Sequence, residues 1–376
     1  MRSAGTLALG AAVTVAALAF GSRPLGVAGV GLLLAAGLAR AWAGLARGPV
    51  SAVVRADPSP AVEGDRVRLQ VEARRRSWTP VGWWALEGSL GRLGRFECRL
   101  RGRGRAGTGA VELGRLPRGA YDVADVRAVL ADHLGLAAVA VPADTRPTAV
   151  LVHPRLVELE GLFSDAGRLG ANGRRLLLRR PAGFDLHSVR EYEQGESLRR
   201  VHWPTTARRG RLMVKELEDT PRDAALVVLD CDPAGAVGTP PDSSFDAAAR
   251  AAGSLVQAYV ARGRSAQLAT TGRSAAVLRV RPGQDMSGSH MSGGQTPGHV
   301  QGVQGALAVL AAAEPDALQP LAGWLRHARV GEAAGELVAV TCLLEPAAVE
   351  ALVAVNARRL VSVVWIDAPS FAGRPT

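Results

Sequence analysis

His202 stands six residues after Glu196, five after Ser197 and four before Thr206. A carboxylate, an imidazole and a hydroxyl are the residue types of a nucleophilic relay, in which the base takes the proton of the attacking oxygen. A relay of that kind also needs a sharp turn that presents the nucleophile and donors for the developing oxyanion. No glycine elbow surrounds Ser197, and no oxyanion site is evident. A second candidate is Asp230-Cys231-Asp232-Pro233-Ala234, where two carboxylates follow an apolar run and could hold magnesium weakly. His133 has no Cys, His or carboxylate at ligand spacing, so a turn role suits it better. Cys98, Cys231 and Cys342 show no paired spacing, which argues against a disulfide framework or a cysteine metal cluster. No catalytic constellation is recognised, and the sequence calls for no cofactor or metal.

The segment around His202 is more suited to binding than to bond-breaking. Between Arg190 and Arg208 it carries Tyr192, Trp203, three acids and four arginines. Guanidinium forks match carboxylates two bonds at a time, so Arg190, Arg199, Arg200 and Arg208 are expected to pin a loop against Glu191, Glu193 or Glu196. Tyr192 and Trp203 are expected to bury ring area beneath that lattice. Arg190, Tyr192, Gly195, Glu196, Arg199, Arg200, Trp203, Thr206 and Arg208 are the candidate partner-docking residues.

Four regions must position these groups. Residues 3–22 are uncharged, and a second apolar stretch from Leu25 to Ala46 is interrupted only by Arg40, so 1–48 reads as a transmembrane helical hairpin. The arginines flanking the two stretches, against a turn with Arg23 alone, place both ends and the soluble domains in the cytoplasm of a two-span membrane protein. Residues 49–155 change to a period of two: Val67, Leu69 and Val71 alternate with Arg66, Arg68, Gln70 and Glu72, and turns recur at short spacing. This predicts a β-sandwich-like domain. Residues 156–221 have little apolar periodicity and read as a connecting region that contains 190–208. Residues 222–376 alternate apolar strands (Ala224–Asp230, Ser265–Thr270, Glu336–Leu344, Leu360–Ile366) with helical segments, which predicts a layered, mostly parallel α/β domain.

The net charge of +11 does not argue for nucleic acid. Lys215 is the sole lysine, the arginines are dispersed, and none of their runs is interleaved with aromatics. A hydrophobic fraction of 48% supplies cores for more than one domain and excludes a wholly disordered chain.

The charged segment closely resembles the signature of the domain of unknown function 58 family. Arg190, Tyr192, Gly195, Arg199, Trp203, Thr206, Ala207 and Arg208 match as they stand, and the likeness continues through Leu212–Glu218. Glu196 replaces the usual aspartate, Val201 the usual isoleucine, and Pro204 sits where lysine is common. The resemblance extends over nearly the whole plan of the chain. It implies membrane-tethered proteins encoded beside MoxR-type AAA ATPases and transglutaminase-like membrane proteins, with no established reaction. The α/β region resembles a von Willebrand factor A domain, whose metal-ion-dependent adhesion site reads D-x-S-x-S. Here Asp232 and Ala234 replace the two serines, so Asp230 and Asp232 mark a degenerate metal position. The combined expectation is a membrane-anchored, non-enzymatic interaction or assembly protein that works with a MoxR-type AAA ATPase, membrane proteins and the lipid bilayer. The alternative is a hydrolase or metal-dependent adhesion protein that uses His202 or Asp230 and Asp232.

Overall fold

The apolar N-terminus folds as two helices, α1 (Arg2–Phe20) and α2 (Arg23–Leu45). Gly21 takes a left-handed φ of 64° between them, and Pro24 occupies the first turn of α2, where a missing N–H costs nothing. The helices approach closely at Gly29, where any Cβ would collide with Thr14. A computed structural model describes residues 2–102, 104–157, 168–169, 173–178, 186–192, 201–217, 224–273, 277–282, 302–327, 334–357 and 359–372. Among these, only Arg23–Leu45 is long and apolar enough to cross a bilayer. The apolar part of α1, Ala4–Phe20, is shorter; at 1.5 Å per residue it reaches roughly 26 Å, against a hydrocarbon core of about 30 Å. The expected transmembrane hairpin and its two-span, multi-pass location are corrected accordingly: α2 is the one candidate span. The uncharged run continues to Ser22, but α1 ends at Phe20.

The chain divides into two compact units, Met1–Arg155 and a second that runs from Leu156 to the C-terminus. After α2 the first unit is all β: β1 (Val50–Asp57), β2 (Ala61–Val62), β3 (Arg66–Arg75), β4 (Trp83–Leu90), β5 (Arg95–Leu100), β6 (Ala106–Arg115), β7 (Gly119–Ala131), β8 (Ala138–Thr145) and β9 (Thr148–His153). The strands run in the order β2-β9-β7-β8-β1-β3-β6, with β4 bridging β5 and β7. β8 pairs antiparallel with β7 over its first half and parallel with β1 at its end, so one strand joins the two halves of the sheet. Alternation does the folding. In β3 every second residue is buried, and Val67, Leu69, Val71 and Ala73 join Trp84, Leu86, Leu130 and Tyr121 in one core. The arrangement is consistent with a β-sandwich. Tyr121 closes it by donating its hydroxyl to the Pro117 carbonyl at 2.8 Å, the geometry of a tyrosine corner.

In the second unit, β10 (Arg168–Leu169), β11 (Gly173–Leu178), β12 (Leu186–Glu191), α3 (Trp203–Arg209) and β13 (Met213–Leu217) precede the α/β repeat. That repeat comprises β14 (Ala224–Leu229), α4 (Ser244–Ala261), β15 (Ser265–Thr270), β16 (Val277–Val280), α5 (Val303–Ala312), α6 (Leu321–His327), β17 (Glu336–Thr341), α7 (Pro346–Asn356) and β18 (Leu360–Ile366). Its sheet runs β10-β11-β18-β17-β14-β15-β16, parallel from β18 to β15 and antiparallel at both flanks. β14 is apolar throughout because its residues serve two cores. Ala225, Val227 and Leu229 pack with α4 and α5, while Leu226 and Val228 pack with α6 and α7. The result is a three-layer α/β domain. β10 and β11 lie in the stretch read from sequence as connection. Their glycine-rich, basic sequence lacks a period, and it is the exposed edge of β18 that supplies their pairing.

Candidate functional site

The signature segment folds as strand, helix and strand. β12 and β13 pair antiparallel, with Arg190 opposite Val214 and Glu191 opposite Met213. Tyr192 N–H donates to the Leu212 carbonyl at 2.9 Å and His202 N–H to the Met213 carbonyl at 2.7 Å, so both ends of the intervening segment are tied to β13. Proline in the first turn and a left-handed Gly210 after the last fix the limits of α3.

His202 is the N-cap of α3. Its Nδ1 lies 2.7 Å from the Thr205 hydroxyl and accepts the Thr205 N–H at 3.3 Å. Thr206 turns the other way and accepts the Met213 N–H at 3.0 Å. The His202 Nδ1 is therefore taken up in capping α3, and the Thr206 hydroxyl in holding α3 on β13. Glu193, Gly195, Glu196, Ser197, Arg199 and Arg200 lie outside the described residues, as does the side chain of Arg190. Glu191 pairs with Arg211, 3.3 Å from each carboxylate oxygen and exposed, a partner outside the four arginines expected for it. Exposed pairs of this kind contribute about 0–1 kcal/mol. Trp203 also departs from expectation: its side chain is 64% exposed, not buried beneath a lattice. Arg208, Arg209 and Arg211 are exposed as well, and Tyr192 is half-buried.

The capping geometry predicts a specific mutational result. His202→Ala should cost about 1 kcal/mol in thermal stability, and His202→Asn, which can still accept the N–H, should recover most of it. Equal losses in the two variants, followed by thermal denaturation, would separate the imidazole from a capping role.

The second candidate lies at the C-terminal ends of β14, β15 and β17. Asp230 is buried, and its Oδ2 sits 2.7 Å from the Thr341 hydroxyl. Its Oδ1 accepts the Asp232 N–H at 3.2 Å and the Thr271 hydroxyl at 3.3 Å. Asp232 accepts the Ala234 N–H at 2.9 Å and caps a single helical turn. Burial pushes the Asp230 carboxyl above its ordinary range; the neighbouring Asp232 adds to this, and hydrogen bonds from Thr341, Asp232 and Thr271 oppose it. The Thr341 hydroxyl is also 2.7 Å from the Leu343 carbonyl, which can only accept. One hydroxyl proton cannot serve both oxygens. Burial favours the neutral acid, and with a proton on Asp230 the Thr341 hydroxyl would be free to donate to Leu343.

These residues fit a magnesium ion poorly. Thr271, Thr341 and a backbone amide already take the Asp230 oxygens, and no group of three or more His, Cys, Asp or Glu among the described residues is arranged to hold a metal. The thiols offer no alternative nucleophile. Burial pushes Cys231 up to about 11 and Cys342 up to about 12, and Cys98 is buried and raised as well. Thr341 was noted from sequence beside the Asp230 metal position, but Thr271 was missed, because it is distant in the chain and meets Asp230 only when the strands align.

Compared with curated proteins, the chain has no match. The family model described as "Protein of unknown function DUF58" matches residues 188–292. That span takes in most of β12, all of α3, β13, β14, α4, β15 and β16, and both candidate sites except Thr341. It is narrower than the near-complete likeness read from the sequence, and β17 and β18 fall outside it. Residues 188–292, with the tied-down helix at their front and the Asp230 strand end at their centre, therefore make up a DUF58 domain.

Proposed function

We propose that this chain is a membrane-anchored interaction protein, held by α2, whose DUF58 domain docks a partner through α3. The observation that carries the reading is Trp203, a large aromatic left exposed on a helix whose position is fixed at both ends. An exposed tryptophan on a short helix that ends in exposed arginines has the composition of an interaction hot spot, and a fixed backbone lowers the ordering cost of binding. The partner we propose is a MoxR-type AAA ATPase, together with other membrane proteins, on the strength of the family resemblance. We read the α/β unit as a von Willebrand factor A-like domain whose metal position is closed by Thr271 and Thr341.

The test is co-purification with the MoxR-type AAA ATPase, comparing the wild type with a Trp203→Ala, Arg208→Ala double variant. Because both side chains are exposed, the variant should keep its melting temperature within about 1 °C and lose roughly 10- to 100-fold in ATPase recovery. Undiminished recovery by a folded variant would remove α3 from the interface.

A further inference from the structure

α2 delivers the chain to one end of the sandwich, and that end is built unlike the rest of the domain. The loop 76–82 folds back on the end of the helix. Trp42 Nε1 donates to the Pro80 carbonyl at 2.7 Å, the Ser77 hydroxyl to the Leu45 carbonyl at 3.3 Å, and Arg76 N–H to the Pro49 carbonyl at 3.1 Å. Gly82 N–H then donates to Ala131 at 2.9 Å, which sets the turn 132–137 beside this loop. Arg75, buried and over the Trp84 ring, donates to the carbonyls of Thr79 at 3.1 Å and Gly104 at 2.9 Å. The three loops at this end are thus braced on one another and on the helix.

What these braced loops expose is apolar and cationic. Trp78 is 76% exposed and Leu134 72%, and Trp83 is exposed beneath the Arg99 guanidinium, 5.9 Å from its ring centre. Arg76, Arg101 and Arg105 are exposed on the same loops, and the acid among them, Asp132, is buried and accepts the Ala137 N–H at 3.2 Å. Tryptophans at the mouth of an apolar helix, ringed by arginines with no exposed acid, match the headgroup layer of a bilayer in depth and in charge.

We infer that the helix-proximal end of the sandwich docks on an anionic lipid surface, with Trp78 and Leu134 inserted among the headgroups and the surrounding arginines paired to lipid phosphates. This rests on α2 being a membrane anchor, and goes beyond it by fixing the domain on the membrane rather than leaving it free on a tether. Ser77, Pro80 and Trp42 make the connection short and stiff, so inserting α2 brings the loops to the surface.

Hydrogen exchange read by mass spectrometry tests this on the full-length chain in three settings: detergent, phosphatidylcholine vesicles, and phosphatidylcholine vesicles containing phosphatidylglycerol. Loops 76–82 and 132–137 should exchange roughly tenfold more slowly in the anionic vesicles than in detergent, while loop 90–95 at the opposite end stays unchanged. A Trp78→Ser, Leu134→Ser variant should float with the vesicles, keep its melting temperature and lose the slowing. If α2 is protected in vesicles while both loops exchange as in detergent, the anchor stands and the docking is refuted. If the chain fails to float and α2 gains no protection, the anchor reading falls and takes the docking with it. Equal slowing on phosphatidylcholine alone would overturn the anionic assignment.

Discussion

Asp230→Asn should raise the melting temperature of the C-terminal unit at neutral pH, and Asp230→Ala should lower it. The asparagine oxygen can accept the Thr271 and Asp232 bonds, and its NH2 can donate to Thr341, so the geometry that favours a neutral acid is kept without a proton. Alanine removes the buried acceptor of the Thr271 hydroxyl and the Asp232 amide and the partner of Thr341, a loss of about 2–4 kcal/mol. For a domain of this size that corresponds to a fall of roughly 5–15 °C. The pH dependence has a definite sign. Because the folded pKa is raised, the stabilisation from Asp230 is full below its unfolded value and is lost as pH rises through the folded one. Thermal melts from acid to alkaline pH should therefore slope downward in the wild type and flatten in Asp230→Asn. If asparagine proves as damaging as alanine, the carboxylate is needed as an anion. A melting temperature raised by magnesium in the wild type alone would then identify a cation site.

The sandwich should respond to pH in the opposite direction. His153 ends β9 fully enclosed, and its Nε2 has no hydrogen-bond partner. Burial pushes its pKa down to about 4, from an ordinary 6.5. The unfolded chain therefore takes up the proton first. Stability is complete above pH 6.5, falls as pH drops toward 4, and by then has lost on the order of 3 kcal/mol. His153→Leu should remove most of that acid sensitivity, with little cost at pH 8 because no hydrogen bond to Nε2 is lost. Scanning calorimetry of the whole chain is the direct check, since acid should bring the sandwich transition down while the α/β transition holds or rises. A His153→Leu sandwich that remains equally acid-labile would assign the effect to other groups.

Local pattern carried much of the fold. The alternation at Arg66–Glu72 became β3, and the apolar run before Asp230 became the central strand of the α/β sheet. Features set by distant partners stayed hidden. β11 has no period of its own and owes its existence to β18. α3 begins with Trp203 and Pro204 followed by two threonines, poor helix formers, and depends on a histidine cap that composition presents as chemistry. Of the candidate sites, Asp230 was legible as a strand-end acid and Thr341 as a hydroxyl near it, but Thr271, which completes the closure, was not. Trp203 was legible as part of a signature, and only its exposure, a tertiary property, makes it a contact residue.

The strand order of the α/β sheet also constrains when the domain can form. Gly173–Leu178 pairs with Val361–Ile366, and β14 lies between β15 and β17, the latter made more than a hundred residues after it. During synthesis β11 must wait for the last strand of the chain, and the central strand must wait with one edge unsatisfied. Such long-range pairing gives high contact order, so closure is slow and late compared with the sandwich, whose pairings all lie within the first 153 residues. A chain cut short before Leu360 would hold a finished sandwich attached to an α/β domain that has not closed, with Val338 and Val340 on an open strand edge.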